Sequence, residues 1–153
     1  MIDDIDRALL GALQKDASLS VDELSERVHL SRNACWRRIK RLEEEGVIRA
    51  RVALLDPAKL NLGLTAFIAV RTAHHEANWL EKFSAAVRDI PEIIGVYRTT
   101  RDIDYLLPAV VPDVAGYDAL YKRLIVRIAL SDVSSSFVME KIKETTALPL
   151  TQV

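Results

Sequence analysis

Residues 31–46, SRNACWRRIKRLEEEG, decide how this chain is to be read. Wound as a helix at about 100° per residue, the stretch puts Cys35, Ile39 and Leu42 on one side, while Asn33, Arg37, Lys40 and Arg41 point the other way. One face suits a core and the other a polyanion. Five basic residues and no acidic one stand between Arg32 and Arg41, and Glu43, Glu44 and Glu45 follow as a block. The positive charge is therefore concentrated in the first turns, where a recognition helix meets DNA. Ser31 is placed to cap the helix, and Gly46 to end it in the left-handed conformation.

Working back toward the N-terminus, Asp3 to Lys15 reads as a first helix. Ile5, Leu9 and Leu13 recur at every fourth position, and Asp3, Asp4 and Asp6 load the first turn, where the helix dipole favours acids. Ser20 then caps a second helix, with Glu23 three residues on completing a capping box and Val21, Leu24 and Val28 forming the inner stripe. His29 and Leu30 make a short turn into the basic helix. Three helices with a tight turn between the last two give a helix-turn-helix.

Working forward, Val47 to Leu55 (VIRARVALL) is rich in β-formers and ends at the turn signal Asp56-Pro57, which predicts a strand leading out of the first domain. Beyond it the periodicity changes. Strands are expected at Leu64 to Arg71, Ile93 to Arg98, Tyr105 to Val111 and Val133 to Lys143, with helices at Asn78 to Ile90 and Val114 to Ile128. The order β-α-β-β-α-β is the ferredoxin-like plan, so the fold class is α+β: a helix-turn-helix domain with its linker strand over residues 1–61, and a ferredoxin-like ligand-sensing and oligomerisation domain over 62–153. LTAFIAVR and YLLPAVV do not alternate apolar with polar residues, although such a sheet carries helices on one face only. A second copy of the chain is the simplest cover for the other face, which predicts a homodimer. Pro108 falls inside YLLPAVV and donates no hydrogen bond, so a bulge or break is expected there.

Composition narrows the function. The formal net charge of −1, with eleven Lys plus Arg against eleven Asp plus Glu in residues 1–61, excludes a generally basic coating protein. Nucleic-acid binding must come from local clustering and should be directed to chosen duplex sites. Cys35 is the single cysteine, and no signal peptide or long apolar run is seen, so a cytoplasmic location and no membrane partner are expected. Cys35 reads as a buried small hydrophobe rather than a redox switch. His74, His75 and Glu76 lack a second ligand pair at usable spacing and read as a solvated loop, so no metal is expected. Ser134, Ser135 and Ser136 have neither a nearby base nor a glycine elbow, so no enzyme activity is expected, and no cofactor either.

Over essentially its whole length the sequence resembles the Lrp/AsnC family of bacterial and archaeal transcription regulators. The resemblance is carried by IDDIDRALLGALQKDA (2–17), CWRRIKRLEEEGVI (35–48), VALLDPAKLNLGL (52–64), RDIDYLL (101–107) and SSSFVMEKIKETTALPL (134–150). LGLTAFIAVRT followed by HHEANW and DALYKRL looks most like the branch that includes regulators responding to cysteine. The resemblance implies DNA-binding dimers, assembly of dimers into octamers, and a small amino acid bound near dimer-dimer contacts that shifts assembly or DNA affinity. One departure matters: where the family reads Gly-Asp-x-Asp, this chain has Arg101-Asp102-Ile103-Asp104.

Two sites follow. For double-stranded DNA, Arg32, Asn33, Trp36 and Arg37 are placed to reach base edges, with Ser31 at the helix start and Lys40 and Arg41 on phosphates. Trp36 lies to the side of the polar face, where packing is its alternative use. For an amino acid, the loop Thr99, Thr100, Arg101, Asp102 and Asp104 offers backbone N–H groups to a carboxylate and carboxylates to an amino group, with Ser134 and Ser136 as neighbours. Arg101 either adds a fork for the ligand carboxylate or fills the pocket and pairs with Asp102 or Asp104 in the ligand's place. An effector-independent architectural DNA-binding protein is the alternative reading.

Overall fold

The computed structural model describes residues 1–73, 76–100 and 102–152. The chain divides into two compact units, Met1–Leu54 with Lys143–Val153, and Leu55–Ile142.

In the first unit, α1 (Asp4–Leu13), α2 (Val21–Arg27) and α3 (Arg32–Glu44) form the expected three helices. Local side chains set their ends. Asp3 and Asp6 form a capping box at the start of α1, and Ser20 and Glu23 form another at α2. The Ser31 hydroxyl accepts the Ala34 N–H at 3.3 Å to start α3. The turn into α3 relies on His29 at φ 54°, and α3 is followed by Gly46 at φ 73°, where glycine carries no Cβ penalty. Leu9, Leu13, Leu24, Cys35 and Ile39 pack into one core, each side chain of Leu size contributing about 1.5–3 kcal/mol by leaving water.

The linker departs from expectation. Residues 49–56 form no strand, and Val52, Leu54 and Leu55 are exposed. A β-rich composition makes a ladder only where a second strand offers its N–H and C=O groups, and none among the described residues does. The division of the chain also differs from the expected 1–61 and 62–153. A 3-10 turn at Pro57–Leu60, capped by Asp56, groups with the second unit. The C-terminal segment groups with the first, because the Gln14 side-chain amide both donates to the Leu148 carbonyl and accepts the Leu148 N–H, at 2.9 Å each.

The second unit is the βαββαβ arrangement: β1 (Leu64–Arg71), α4 (Ala77–Arg88), β2 (Tyr97–Arg98), β3 (Tyr105–Val111), α5 (Val114–Arg127) and β4 (Asp132–Phe137). The sheet order is β2-β3-β1-β4, with every neighbouring pair antiparallel. Ile68, Val70, Tyr105, Leu107, Ala109 and Val111 face α4 and α5 and meet Trp79, Phe83, Leu120 and Leu124 in a continuous core. Phe83 stacks on Trp79 at 5.0 Å, and the Trp79 indole N–H donates to the Ala129 carbonyl at 3.0 Å.

Two strands are shorter than expected. The ladder between β1 and β4 ends at Ala66↔Phe137, so residues beyond Phe137 do not continue the strand to Lys143. In the stretch expected as Ile93 to Arg98, only Tyr97 and Arg98 pair regularly, with an isolated bridge Ile93↔Ala109. Between these contacts Ile94, Gly95 and Val96 stand opposite Leu107 and Pro108, one residue in excess. The irregularity expected from Pro108 is therefore real but sits on the neighbouring strand, since β3 itself keeps an unbroken register with β1 through Phe67↔Pro108. The Pro108 carbonyl still accepts the Ile94 N–H at 2.9 Å, and Gly95 packs so closely that a Cβ there would lie 3.1 Å from the proline ring.

Candidate functional site

The core side of α3 is buried through Cys35, Ile39 and Leu42, which turns Ser31, Arg32, Asn33, Trp36, Arg37 and Lys40 outward as one exposed surface. Burial pushes the Cys35 thiol up, in keeping with a packing role. Arg37 makes no ion pair or side-chain hydrogen bond among the described residues. Arg32 reaches Asp22 of α2 at 3.0 Å, but both side chains are solvated, so this pair is readily exchanged for a phosphate. Lys40 lies 5.1 Å from the ring centre of Trp36 and 3.7 Å from Glu44. Trp36 is 51% exposed, so it is available for contact rather than used in the core.

Arg41 is placed differently from the phosphate-facing position expected of it. Its Nη2 donates to Asp6 Oδ2 at 2.5 Å, and Arg38 Nη1 donates to Asp6 Oδ1 at 2.8 Å and to Asp3 Oδ2 at 2.6 Å. The Asp6 side chain is 0% exposed. Burial alone would raise its pKa, but the hydrogen bonds from Arg41 and Arg38 outweigh that and hold the carboxyl below its ordinary range. Asp3 and then Asp6 push Arg38 up, and Asp6 pushes Arg41 up. The cause is helix packing: α1 lies beside the flank of α3 that carries Arg38 and Arg41. Sequence reasoning took Asp3 and Asp6 only as dipole-complementing acids and passed over Arg38. The available signal was the position of Asp6 on the same stripe as Leu9 and Leu13, where a carboxylate needs a cation.

The loop expected to meet an effector follows β2 and precedes β3. The Thr99 N–H donates to the Asp104 carbonyl at 2.9 Å and its hydroxyl to the Ile103 carbonyl at 2.6 Å. Asp104 Oδ2 accepts the Thr72 N–H at 2.8 Å, and Arg71 Nε donates to the Asp102 carbonyl at 2.5 Å. Asp104 is thus partly committed to holding the loop to the end of β1, whereas Thr100 and Asp102 are exposed. Ser134 and Ser136 stand on β4 opposite Ala69 and Phe67, with β1 between them and the strand that follows the loop. Topology therefore sets the serines apart from residues 99–104. Arg101, on which the two readings of this loop turn, lies outside the described residues, as do His74 and His75.

Among the described residues, no group of three His, Cys, Asp or Glu is arranged to hold a metal ion, and no helix is long and apolar enough to cross a membrane.

Comparison with known proteins agrees with the geometry. Residues 2–49 match a winged helix-turn-helix DNA-binding model, and residues 65–148 match the Lrp/AsnC ligand binding domain. The chain is 48% identical over 151 residues to the DNA-binding transcriptional activator DecR of Escherichia coli, covering 98% of this chain and 99% of that one. Among solved structures, an AsnC family transcriptional regulator from Agrobacterium tumefaciens superposes with a TM-score of 0.93 at 54% identity, covering 97% of each chain. A transcriptional regulator from Neisseria meningitidis, solved as its L-Met complex, superposes at 0.95 with 40% identity over 99% of each chain. With a helix-turn-helix in front and a ferredoxin-like ligand-binding domain behind, the chain belongs to the Lrp/AsnC family of DNA-binding transcriptional regulators.

Proposed function

We propose that this regulator is a non-catalytic cytoplasmic protein that reads double-stranded DNA with Ser31, Arg32, Asn33, Trp36, Arg37 and Lys40, and that a small amino acid modulates its assembly or DNA affinity. The observation that carries the reading is the segregation on α3: an apolar side buried in the core, and an opposite side on which Asn33, Arg37 and Lys40 are exposed to meet a duplex.

The working unit is a homodimer, or an assembly of dimers up to an octamer. Thr65, Phe67, Ala69, Leu106, Pro108 and Val110 share the sheet face that carries no helix. Phe67 is 41% exposed there, a large ring that a second copy would remove from water. Effector sensing is assigned to Thr99, Thr100, Asp102 and Asp104, with Arg101 between them in the sequence and Ser134 and Ser136 left out of the set. The L-Met complex of the Neisseria relative supports the ligand class. Coupling follows if ligand alters the assembly and thereby the spacing of paired recognition helices.

Genome-wide mapping of bound sites with and without a panel of amino acids tests this function. Discrete sites whose occupancy changes with one amino acid are expected. Uniform, salt-sensitive coverage would favour the architectural alternative. Calorimetry on the unmodified chain and on Arg101→Gly separates the two readings of the loop: tight binding by the unmodified chain supports the added fork, and binding only by Arg101→Gly supports occlusion.

A further inference from the structure

We propose that Asp6 is a specificity-determining residue that withholds Arg41 from DNA. The inference rests on α3 being the DNA-reading helix and goes further, to which of its cations take part. At 3.6 residues per turn, Arg41 projects only about 40° from Arg37 on one side, while Lys40 projects about 60° from it on the other. By position on the helix, Arg41 belongs to the reading surface as much as Lys40 does. Chemically it does not, because its guanidinium is bonded to a carboxylate that is 0% exposed.

That carboxylate is held in place independently of Arg41. Asp6 Oδ1 accepts from Arg38, Oδ2 also accepts the Asp3 N–H at 3.2 Å, and the Asp6 N–H donates to Asp3 Oδ1 at 2.8 Å. Asp3 supplies a second acceptor for Arg38. The cluster therefore fixes two acids and two arginines. The physical consequence is a reduced phosphate-binding charge on a helix whose sequence carries five cations from Arg32 to Arg41. Phosphate contacts add affinity for every sequence alike, whereas base contacts discriminate. Holding Arg41 back lowers the sequence-independent part of binding and leaves discrimination to the residues that face the groove.

Salt dependence measures this directly, since each phosphate neutralised adds about 0.9 to the slope of log K against log salt on duplex DNA. The probes are a random-sequence duplex and a duplex selected from a random library by the unmodified full-length chain, with melting followed by circular dichroism as the check on folding. On the random duplex, Lys40→Gln is expected to flatten the slope by about 0.9 per bound chain, and Arg41→Gln to leave it unchanged. Asp6→Asn is expected to steepen it by about 0.9 and to lower the ratio of selected to random affinity, with Arg41→Gln in the same chain reversing both changes. A merely structural Asp6 would weaken binding to both duplexes without steepening the slope, and that result overturns the proposal. So does flattening by Arg41→Gln equal to that by Lys40→Gln, which remains decisive if Asp6→Asn fails to fold. A Lys40→Gln slope that does not move takes α3 out of the interface and removes the reading on which the proposal stands.

Discussion

Replacing Asp6 with asparagine tests the packing of the first unit as well as its charge. The carboxylate receives one hydrogen bond from each of two arginines, and a charged hydrogen bond contributes about 1.5–3 kcal/mol. Asparagine keeps one acceptor but turns an NH₂ donor toward the other guanidinium, so roughly one such bond is lost and two donors are left facing each other. Arg38 and Arg41 are 29% and 37% exposed and can rehydrate, which discounts the loss. The expected destabilisation is about 2 kcal/mol, or about 8–16 °C in melting temperature for a unit of this size. Trp36 is the one tryptophan of the first unit and Trp79 that of the second, so emission in a Trp79→Phe background follows the helix-turn-helix alone. The pH dependence has a definite sign. The native pKa of Asp6 is lowered, so its contribution is fully present above the ordinary value of 3.8 and is lost as pH falls through the lower native one. The gap between the unmodified chain and Asp6→Asn should hold from neutrality down to about pH 5 and close under stronger acid. A gap that is absent at neutral pH, or that widens on acidification, would refute the assignment.

Other expectations follow from the same fold. Ser20→Ala removes one half of the α2 capping box and should lower the urea stability of the first unit by about 1 kcal/mol, with Ser20→Gly costing less. Phe83→Ala opens a hole beneath Trp79 and Tyr105 and should cost the second unit about 3–5 kcal/mol, read from Trp79 emission on denaturation. Phe67→Arg places a charge at the centre of the uncovered sheet face and should shift sedimentation toward the monomer without loss of helical signal, because Phe67 lies outside the buried core. Unchanged sedimentation would place the interface elsewhere.

The parts of this fold that were legible in the sequence are those decided by neighbours along the chain. Ser20 with Glu23, Ser31 and Gly46 set helix ends within one turn of themselves, and β1 and β3 stood out as apolar runs. What was missed depends on groups distant in sequence. Val47 to Leu55 has the composition of a strand but no pairing partner among the described residues, so it forms none. Pro108 displaced its irregularity onto Ile94–Val96, a choice made by the register between strands rather than by the proline's own neighbours. At the candidate site, the outward face of α3 could be read from periodicity alone, but the diversion of Arg41 to Asp6 spans 35 residues and needed the packing of α1 on α3. For the loop, the pattern singled out residues 99–104 as a candidate, while the commitment of Asp104 to the Thr72 N–H required the fold.

If the exposed face of α3 reads base sequence, Arg37→Ala removes a side chain on which that reading depends. Arg37 is exposed and its side chain bonds to none of the described residues, so its removal should leave melting unchanged. In titrations against the selected duplex, specific affinity should fall by about 1–3 kcal/mol, as loss of a bidentate base contact requires, with a smaller change on random DNA. Undiminished binding to the selected duplex would mean that this face of α3 does not read base sequence through Arg37.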